Sequence, residues 1–372
     1  MKILIDLTSL ADNFSGIERF AMSVTEELIK DKTNQFILVF KNEIHKAFSN
    51  KQEHVTCVVL KGKNKLIFNQ IILPFFLCRQ NADRYLFPAF PEPFLFVKKN
   101  RFSAIHDVGC WDCPESNKKY MTLYFKVLYR KVAMGKSHIV TVSRFSKERI
   151  KDILGVKEER ISVVYNGLAK HLLEDETKDA RQVQQKYKLP ETYILCLATL
   201  EPRKNLKLLI SAYVDLFMEG KVSQELVLAG RKGWLVDNLL ADVDAEVVKH
   251  IHFTGFIDEE DLAQVYRGAT VFVFPSLYEG FGVPPIEAMC VGTPVISSDA
   301  SSLPEVLGKA AVYFRSGDKE ELKSSLQYVE DLGPEEREKM IQEGKKHARY
   351  YTWEKSGETL RDVLLDKGAE KL

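Results

Sequence analysis

Two carboxylates, Glu279 and Glu287, stand with seven residues between them around the loop Gly280-Phe281-Gly282. An ionised carboxylate only accepts hydrogen bonds, so the pair suits hydroxyl donors such as those of a sugar or a ribose. The loop follows Ala269 to Phe274, an apolar run of strand length that Pro275 ends. Pro284-Pro285 then open what reads as a helix through Ile286, Ala288 and Met289. A buried strand feeding a Gly loop and a helix start makes an anion site, because backbone N–H groups and the helix dipole both favour negative charge there. Arg203 and Lys204 follow another strand-like run, Tyr193 to Ala198, just before a helix-spaced segment. Arg offers a bidentate fork and Lys a point charge, which together suit a diphosphate. One pocket for a phosphate and hydroxyls is the chemistry these residue types imply.

Other positions carry weaker signals. His106 and Asp107 end the strand-like run from Phe102 to Ile105, and open α/β sheets bind ligands at strand ends. Histidine is the commonest catalytic base, but no activating partner stands beside His106 in sequence, so positioning is its expected role. Gly16 lies between the strand-like Ile3 to Leu7 and a helix-spaced run from Ile17 to Ile29. That order again cradles phosphate, though without the G-x-G-x-x-G of a dinucleotide site. Cys110 and Cys113 have C-x-x-C spacing, yet only His106 is near as a further ligand, so neither zinc nor a dithiol is expected. Asp242-Val243-Asp244 has a D-x-D form inside a helical pattern of Val236, Leu239, Leu240, Val243 and Val247. It reads as a solvated helix face, and no metal ligands are assigned.

The stretch Glu279-Gly280-Phe281-Gly282, Pro284 and Glu287-Ala288-Met289 resembles the signature of the retaining family 4 glycosyltransferases, the glycosyl transferases group 1. Glu201-Pro202-Arg203-Lys204-Asn205 resembles a second element of that family, and Val164-Tyr165-Asn166-Gly167 and Ser302-Leu303-Pro304-Glu305-Val306 resemble two more. The similarity covers most of the chain and is densest from Tyr193 to Phe314. It implies a GT-B fold, an α/β architecture of two doubly wound Rossmann-like domains facing across a cleft. It implies transfer of a sugar, with retention, from a nucleoside-diphosphate sugar to a glycan or a lipid-pyrophosphate-linked acceptor. In that reading Arg203 and Lys204 neutralise the leaving diphosphate together with Gly280, Phe281 and Gly282. Glu279 holds sugar hydroxyls, Glu287 the ribose, His106 and Asp107 the transferred sugar, and Gly16 approaches the diphosphate. No carboxylate is an obvious nucleophile, so front-face attack is expected, without metal or other cofactor. The Glu-Pro-Arg-Lys-Asn form leans toward the mannosyl- and rhamnosyltransferases of bacterial surface polysaccharide synthesis. Rival readings are another GT-B enzyme, such as a sugar-nucleotide epimerase or a phosphorylase, and a non-catalytic sugar-nucleotide-binding subunit.

The elements that must position these residues fall into two halves. At 372 residues the chain exceeds one ordinary core. Residues 1–170 are expected to form an acceptor-side domain and 171–354 a donor-binding domain, with His171 to Leu189 as linker and the helical tail 355–372 crossing back to the first. Strands are expected at Phe36–Phe40, Val55–Leu60, Arg84–Phe87, His138–Val142, Ile161–Tyr165 and Leu226–Gly230, and a helix over Leu66–Leu77. A long helix is expected over Asn117–Ser137, with Tyr120, Leu123, Tyr124, Val127 and Leu128 as its apolar side. Net charge is +1 overall, but residues 1–170 hold 28 Lys and Arg against 17 acids, and residues 171–372 hold 25 against 35. The basic half, Lys119, Lys126 and Arg130 above all, suits an anionic membrane face. Nucleic acid is not expected, since zinc-finger spacing, RNP-like motif and basic tail are all missing. The start lacks the apolar core of a signal peptide, no run reaches transmembrane length, and six scattered cysteines fit a reducing compartment. A cytoplasmic protein, peripheral at the inner face of the membrane, is the expectation.

Overall fold

The computed structural model describes the chain except residues 11–15, 117, 171, 173–178, 232–238 and 367–372, and of Lys65 the backbone alone. It divides into two compact units, Met1–Gly167 with Tyr351–Leu372, and Leu168–Tyr350. Each is a parallel α/β sheet wrapped by helices, the Rossmann-like arrangement of the expected fold class.

The first unit has seven strands: β1 Lys2–Asp6, β2 Gln35–Lys41, β3 Val55–Leu60, β4 Arg84–Phe87, β5 Arg101–Ala104, β6 His138–Thr141 and β7 Ile161–Val163. Their order is β3-β2-β1-β4-β5-β6-β7. Ile3 pairs with Phe36 on one side and Arg84 on the other, so β1 is central. Helices cover both faces of a parallel sheet, which is why its strands read as near-continuous apolar runs. The helix Gly16–Leu28 buries Phe20, Ala21, Val24 and Leu28. Against it lies the C-terminal helix Trp353–Leu364. Phe20 meets Trp353 edge-on at 6.2 Å, and the Ser356 hydroxyl donates to the Tyr165 carbonyl at 2.7 Å. A Cβ on Gly167 would lie 2.3 Å from the Trp353 backbone nitrogen, so only glycine lets the two backbones approach.

Two expectations for this unit, and one for the linker that follows it, need correction. The helix over Leu66–Leu77 is α-helical over Lys65–Ile67, π-helical over Phe68–Ile72 and α-helical again over Leu73–Arg79. Pro74 has no N–H to give Gln70, and just upstream the Leu73 N–H reaches back five residues to Phe68. The long helix runs over Lys119–Met134, but its expected apolar side is mostly solvent-facing. Tyr120, Leu123, Tyr124 and Val127 are exposed, while Leu128, Val132 and Ala133 are buried. Two apolar stripes share this helix, and only one meets the core. The third correction concerns the linker, of which His171 and 173–178 lie outside the described residues. Its later part is a helix, Ala180–Tyr187, capped by the Asp179 carboxylate and part of the second unit.

That unit has six strands: β8 Tyr193–Leu197, β9 Glu225–Ala229, β10 Ile251–Gly255, β11 Ala269–Phe274, β12 Val295–Ser298 and β13 Val312–Phe314. The order is β10-β9-β8-β11-β12-β13, all parallel. Its core gathers Leu209, Tyr213 and Leu216 of the helix Leu206–Met218 over Leu226, Leu228, Val271 and Val273. The helical pattern drawn through Asp242 and Asp244 is wrong. Val236 and the Lys232–Trp234 loop lie outside the described residues, and the helix is only Ala245–Val248, with the Asp244 carboxylate accepting from the Glu246 N–H. Leu239, Leu240 and Val243 pack on the core from a turn instead. Among the described residues no helix is long and apolar enough to cross a membrane.

Candidate functional site

Strand order reverses direction between β8 and β11 in the second unit, and the carboxyl ends at such a switch point are where these sheets bind ligands. The loop after β8 carries Arg203 and Lys204, in a 3₁₀ turn that ends on Asn205 in the left-handed region, φ 52°. The loop after β11 carries Glu279. Although 75 residues apart, the loops are bonded, the Leu277 N–H donating to the Arg203 carbonyl at 2.8 Å. Lys204 Nζ donates to Glu279 Oε1 at 2.5 Å, and Arg203 Nη1 to Glu279 Oε2 at 3.1 Å. Arg203 Nη1 also reaches the Tyr278 carbonyl, and its Nε reaches Glu201 at 3.2 Å. Lys204 lies 4.9 Å from the centre of the Phe274 ring.

Lys204 and Glu279 are each 7% exposed. Burial works against the Glu279 charge, but the Lys204 ammonium and the Arg203 guanidinium win and hold the carboxyl down at about 2. Burial pulls Lys204 below the ordinary lysine range, and the Arg203 charge adds to it, with Glu279 opposing. The result is a cluster in which Arg203 and Lys204 share Glu279, and Arg203 also meets Glu201.

The Gly loop is pinned from below by residues to which the sequence reading gave no role. Ser301, at φ 53°, accepts from the Glu279 N–H at 2.8 Å. The Ser302 hydroxyl reaches the carbonyls of Glu279 and Phe281 at 2.9 and 3.1 Å. The signal for Ser302 is in the sequence, where Ser302-Leu303-Pro304-Glu305-Val306 stands out as a motif. Gly282, at φ 94°, opens the helix Val283–Val291, and a Cβ there would sit 2.6 Å from Leu303 Cδ2. With Gly280 and Phe281 it brings the chain to the start of that helix. Glu287, one turn in, is buried and accepts from the Tyr266 hydroxyl at 2.9 Å. Glu279, expected to hold sugar hydroxyls, bridges Lys204 and Arg203 in this structure.

The remaining candidates sit in the first unit. His106 follows β5, and its Nε2 donates to the Pro88 carbonyl, after β4, at 3.1 Å. Its ring stands edge-on to Phe20 at 5.0 Å. A carbonyl only accepts, so Nε2 carries the proton, and burial holds the ring pKa below its ordinary value. Asp107 Oδ1 accepts from the Gly109 N–H at 2.8 Å. Gly16 is exposed at the start of its helix, where a Cβ would meet nothing within 4 Å. Cys110 is buried, and burial, with the Asp107 charge, pushes its thiol up to about 12, so it stands as a thiol and not as a reactive thiolate. Asp6, at the end of β1, escaped the sequence reading. Burial raises its carboxyl pKa against the bond it accepts from the Thr8 N–H at 3.0 Å.

Residues 177–347 match the family described as glycosyl transferases group 1. Over 255 residues the chain is 33% identical to the O-antigen chain mannosyltransferase B of Escherichia coli, covering 68% of this chain and 66% of that one. Over 235 residues it is 30% identical to the O-antigen chain mannosyltransferase RfbU of Salmonella typhimurium, covering 63% and 62%. The chain thus spans just under two thirds of these relatives' own length. Among solved structures, the sucrose-phosphate synthase of Thermosynechococcus elongatus superposes with a TM-score of 0.76 at 16% identity, covering 99% of each chain. The fold is GT-B, and the chain carries a glycosyl transferases group 1 domain over residues 177–347.

Proposed function

We propose that the protein is a retaining glycosyltransferase that moves mannose, or a related hexose or deoxyhexose, from a nucleoside-diphosphate sugar to a glycan or lipid-pyrophosphate-linked acceptor in polysaccharide synthesis. The observation that carries the reading is the Arg203–Glu279–Lys204 cluster at the β8/β11 switch point. When the bond from sugar to diphosphate breaks, negative charge grows on the departing oxygen. Preorganised cations and backbone N–H groups at a helix start stabilise that charge without reorganising. Arg203 and Lys204 are the cations, and Gly280 to Gly282 bring the N–H groups. Once the donor is bound, Glu279 accepts from sugar hydroxyls while still holding Lys204 in place. Glu287 takes the ribose. His106, neutral near pH 7, and Asp107 position the transferred sugar on the acceptor side, and Gly16 lets the diphosphate approach. The relatives' names, both mannosyltransferases, support mannose.

The leaving group is handled by side chains, so turnover should survive EDTA; complete loss restored by a divalent cation would overturn that part. The basic first unit brings the enzyme to an anionic membrane where a lipid-linked acceptor resides. A thermal-shift panel of GDP-, UDP- and dTDP-sugars tests the donor. A ligand at about 100 times its Kd adds about 2.7 kcal/mol, and GDP-mannose should give the largest shift. No shift with any nucleotide sugar would sink the reading.

A further inference from the structure

Thirteen of the twenty-two large hydrophobic side chains exposed among the described residues fall in three short segments of the first unit, 65–79, 93–99 and 118–136. The first segment contributes Ile67, Ile71 in its π-helical part, and Phe75 a turn further on. The loop after β4 contributes Phe94, Leu95 and Val97, the last 73% exposed. Tyr120, Leu123, Tyr124 and Val127 form the outward stripe of the helix Lys119–Met134.

These segments touch one another. Gln70 Nε2 donates to the Tyr124 hydroxyl at 3.1 Å, and Gln70 Oε1 accepts from the Phe94 N–H at 3.0 Å. The loop is also clamped from within. Lys131 Nζ donates to the carbonyls of Pro93 and Phe96, at 3.2 and 2.9 Å, and to the fully buried Glu92 at 3.3 Å. Arg101 donates to the Phe96 carbonyl and to Ser137, whose hydroxyl donates to Glu92 at 2.6 Å. A buried ionic cluster is a costly way to order a loop. Here it holds a loop whose tip turns apolar side chains outward.

Charge identifies the occupant. These three segments, 65–79, 93–99 and 118–136, hold ten lysines and arginines and no aspartate or glutamate. A second copy meeting this face about a two-fold axis would oppose cation to cation. An anionic lipid headgroup layer complements the charge, and the acyl boundary beneath it takes the apolar side chains.

We propose that Ile67, Ile71, Phe75, Phe94 and Leu95, with the Tyr120–Val127 stripe, form a preformed ledge that inserts into the boundary of an anionic bilayer. The inference rests on the membrane contact proposed above and changes its nature, from charge alone to charge plus apolar insertion. It also revises the part of two cations. Lys126 and Arg130 lie over the Trp111 ring, 5.6 and 6.0 Å from its centre, rather than projecting freely.

Co-sedimentation of the whole protein with mixed phosphatidylglycerol and phosphatidylcholine vesicles, at low and high salt, tests it. Wild type should bind, and part of the binding should survive high salt, since insertion is not screened. Phe94→Ser with Leu95→Ser should weaken binding about tenfold or more at both salt levels. The nucleotide-sugar thermal shift should stay unchanged, which shows that the variant is folded. Met218→Ser with Tyr328→Ser, exposed in the second unit, should bind as wild type. If Lys119→Gln, Lys126→Gln and Arg130→Gln together abolish binding while the serine pair does not, docking is by charge alone and the ledge is overturned. No binding at low salt overturns both ledge and membrane contact and leaves the donor reading standing. Self-association abolished by the serine pair, with vesicles ignored, makes the ledge a contact between copies and overturns the proposal.

Discussion

Arg203 serves the Glu279 and Glu201 carboxylates and the Tyr278 carbonyl in this structure, and is still about one third exposed. A guanidinium so held is oriented before any ligand arrives, and its effect should therefore appear in the chemical step. Arg203→Ala should lower kcat by about 10²–10³, roughly 3–4 kcal/mol, as does removal of one preorganised donor elsewhere. Steady-state kinetics check this, and unchanged kcat with a raised KM would assign Arg203 to ground-state binding. Glu279 yields a prediction about pH. Its carboxyl sits at about 2 in the folded chain, below the value of about 4.3 for an unfolded glutamate. A depressed carboxyl contributes stability that is fully present above the unfolded pKa and is lost as pH falls through the folded one. Melting temperature should thus drop between about pH 4.3 and 2, and Glu279→Gln should show a shallower drop across that window. Equal slopes for the two proteins would deny the charge cluster its energetic role.

Among the elements, loops do most of the positioning. The turn after β8 and the Gly loop after β11 are joined by one backbone bond, and Ser301 and Ser302 hold the second from below. The helix Lys119–Met134 shows how periodicity misleads. It has apolar residues on two sides, and the spacing does not say which side meets the sheet. The buried partner is picked out by Lys131, which reaches inward to Glu92. Removing one member of a buried ionic cluster leaves the others uncompensated. Glu92→Ala should therefore destabilise the first unit by about 3–5 kcal/mol. Urea unfolding checks it, and a loss well under 1 kcal/mol would mean that water or other groups already satisfy Lys131 and Arg101.

At the scale of the whole molecule, the chain returns to its first unit at the end. The helix Trp353–Leu364 lies on the helix Gly16–Leu28, and Gly167 admits the backbone of Thr352 and Trp353. Gly167→Ala would put a Cβ 2.3 to 2.8 Å from that backbone, where no side chain can swing aside. An overpacking loss of about 1–3 kcal/mol should follow, measured by urea denaturation, and no change would mean that the tail readily shifts away. The sequence by itself determined much of the plan. Apolar runs ended by Pro275 or Gly230 located strands, a proline pair located the helix start at Val283, and motif order pointed to the family and to the candidate site residues. Those signals are local, set by backbone sterics and burial period over a few residues. Tertiary structure decided the rest. Only the parallel pairing of β8 with β11 joins Arg203 and Lys204 to Glu279, and only packing chose which stripe of the helix Lys119–Met134 is left outside. Both depend on contacts between residues far apart in the chain, where burial and charge, not local propensity, set the energy.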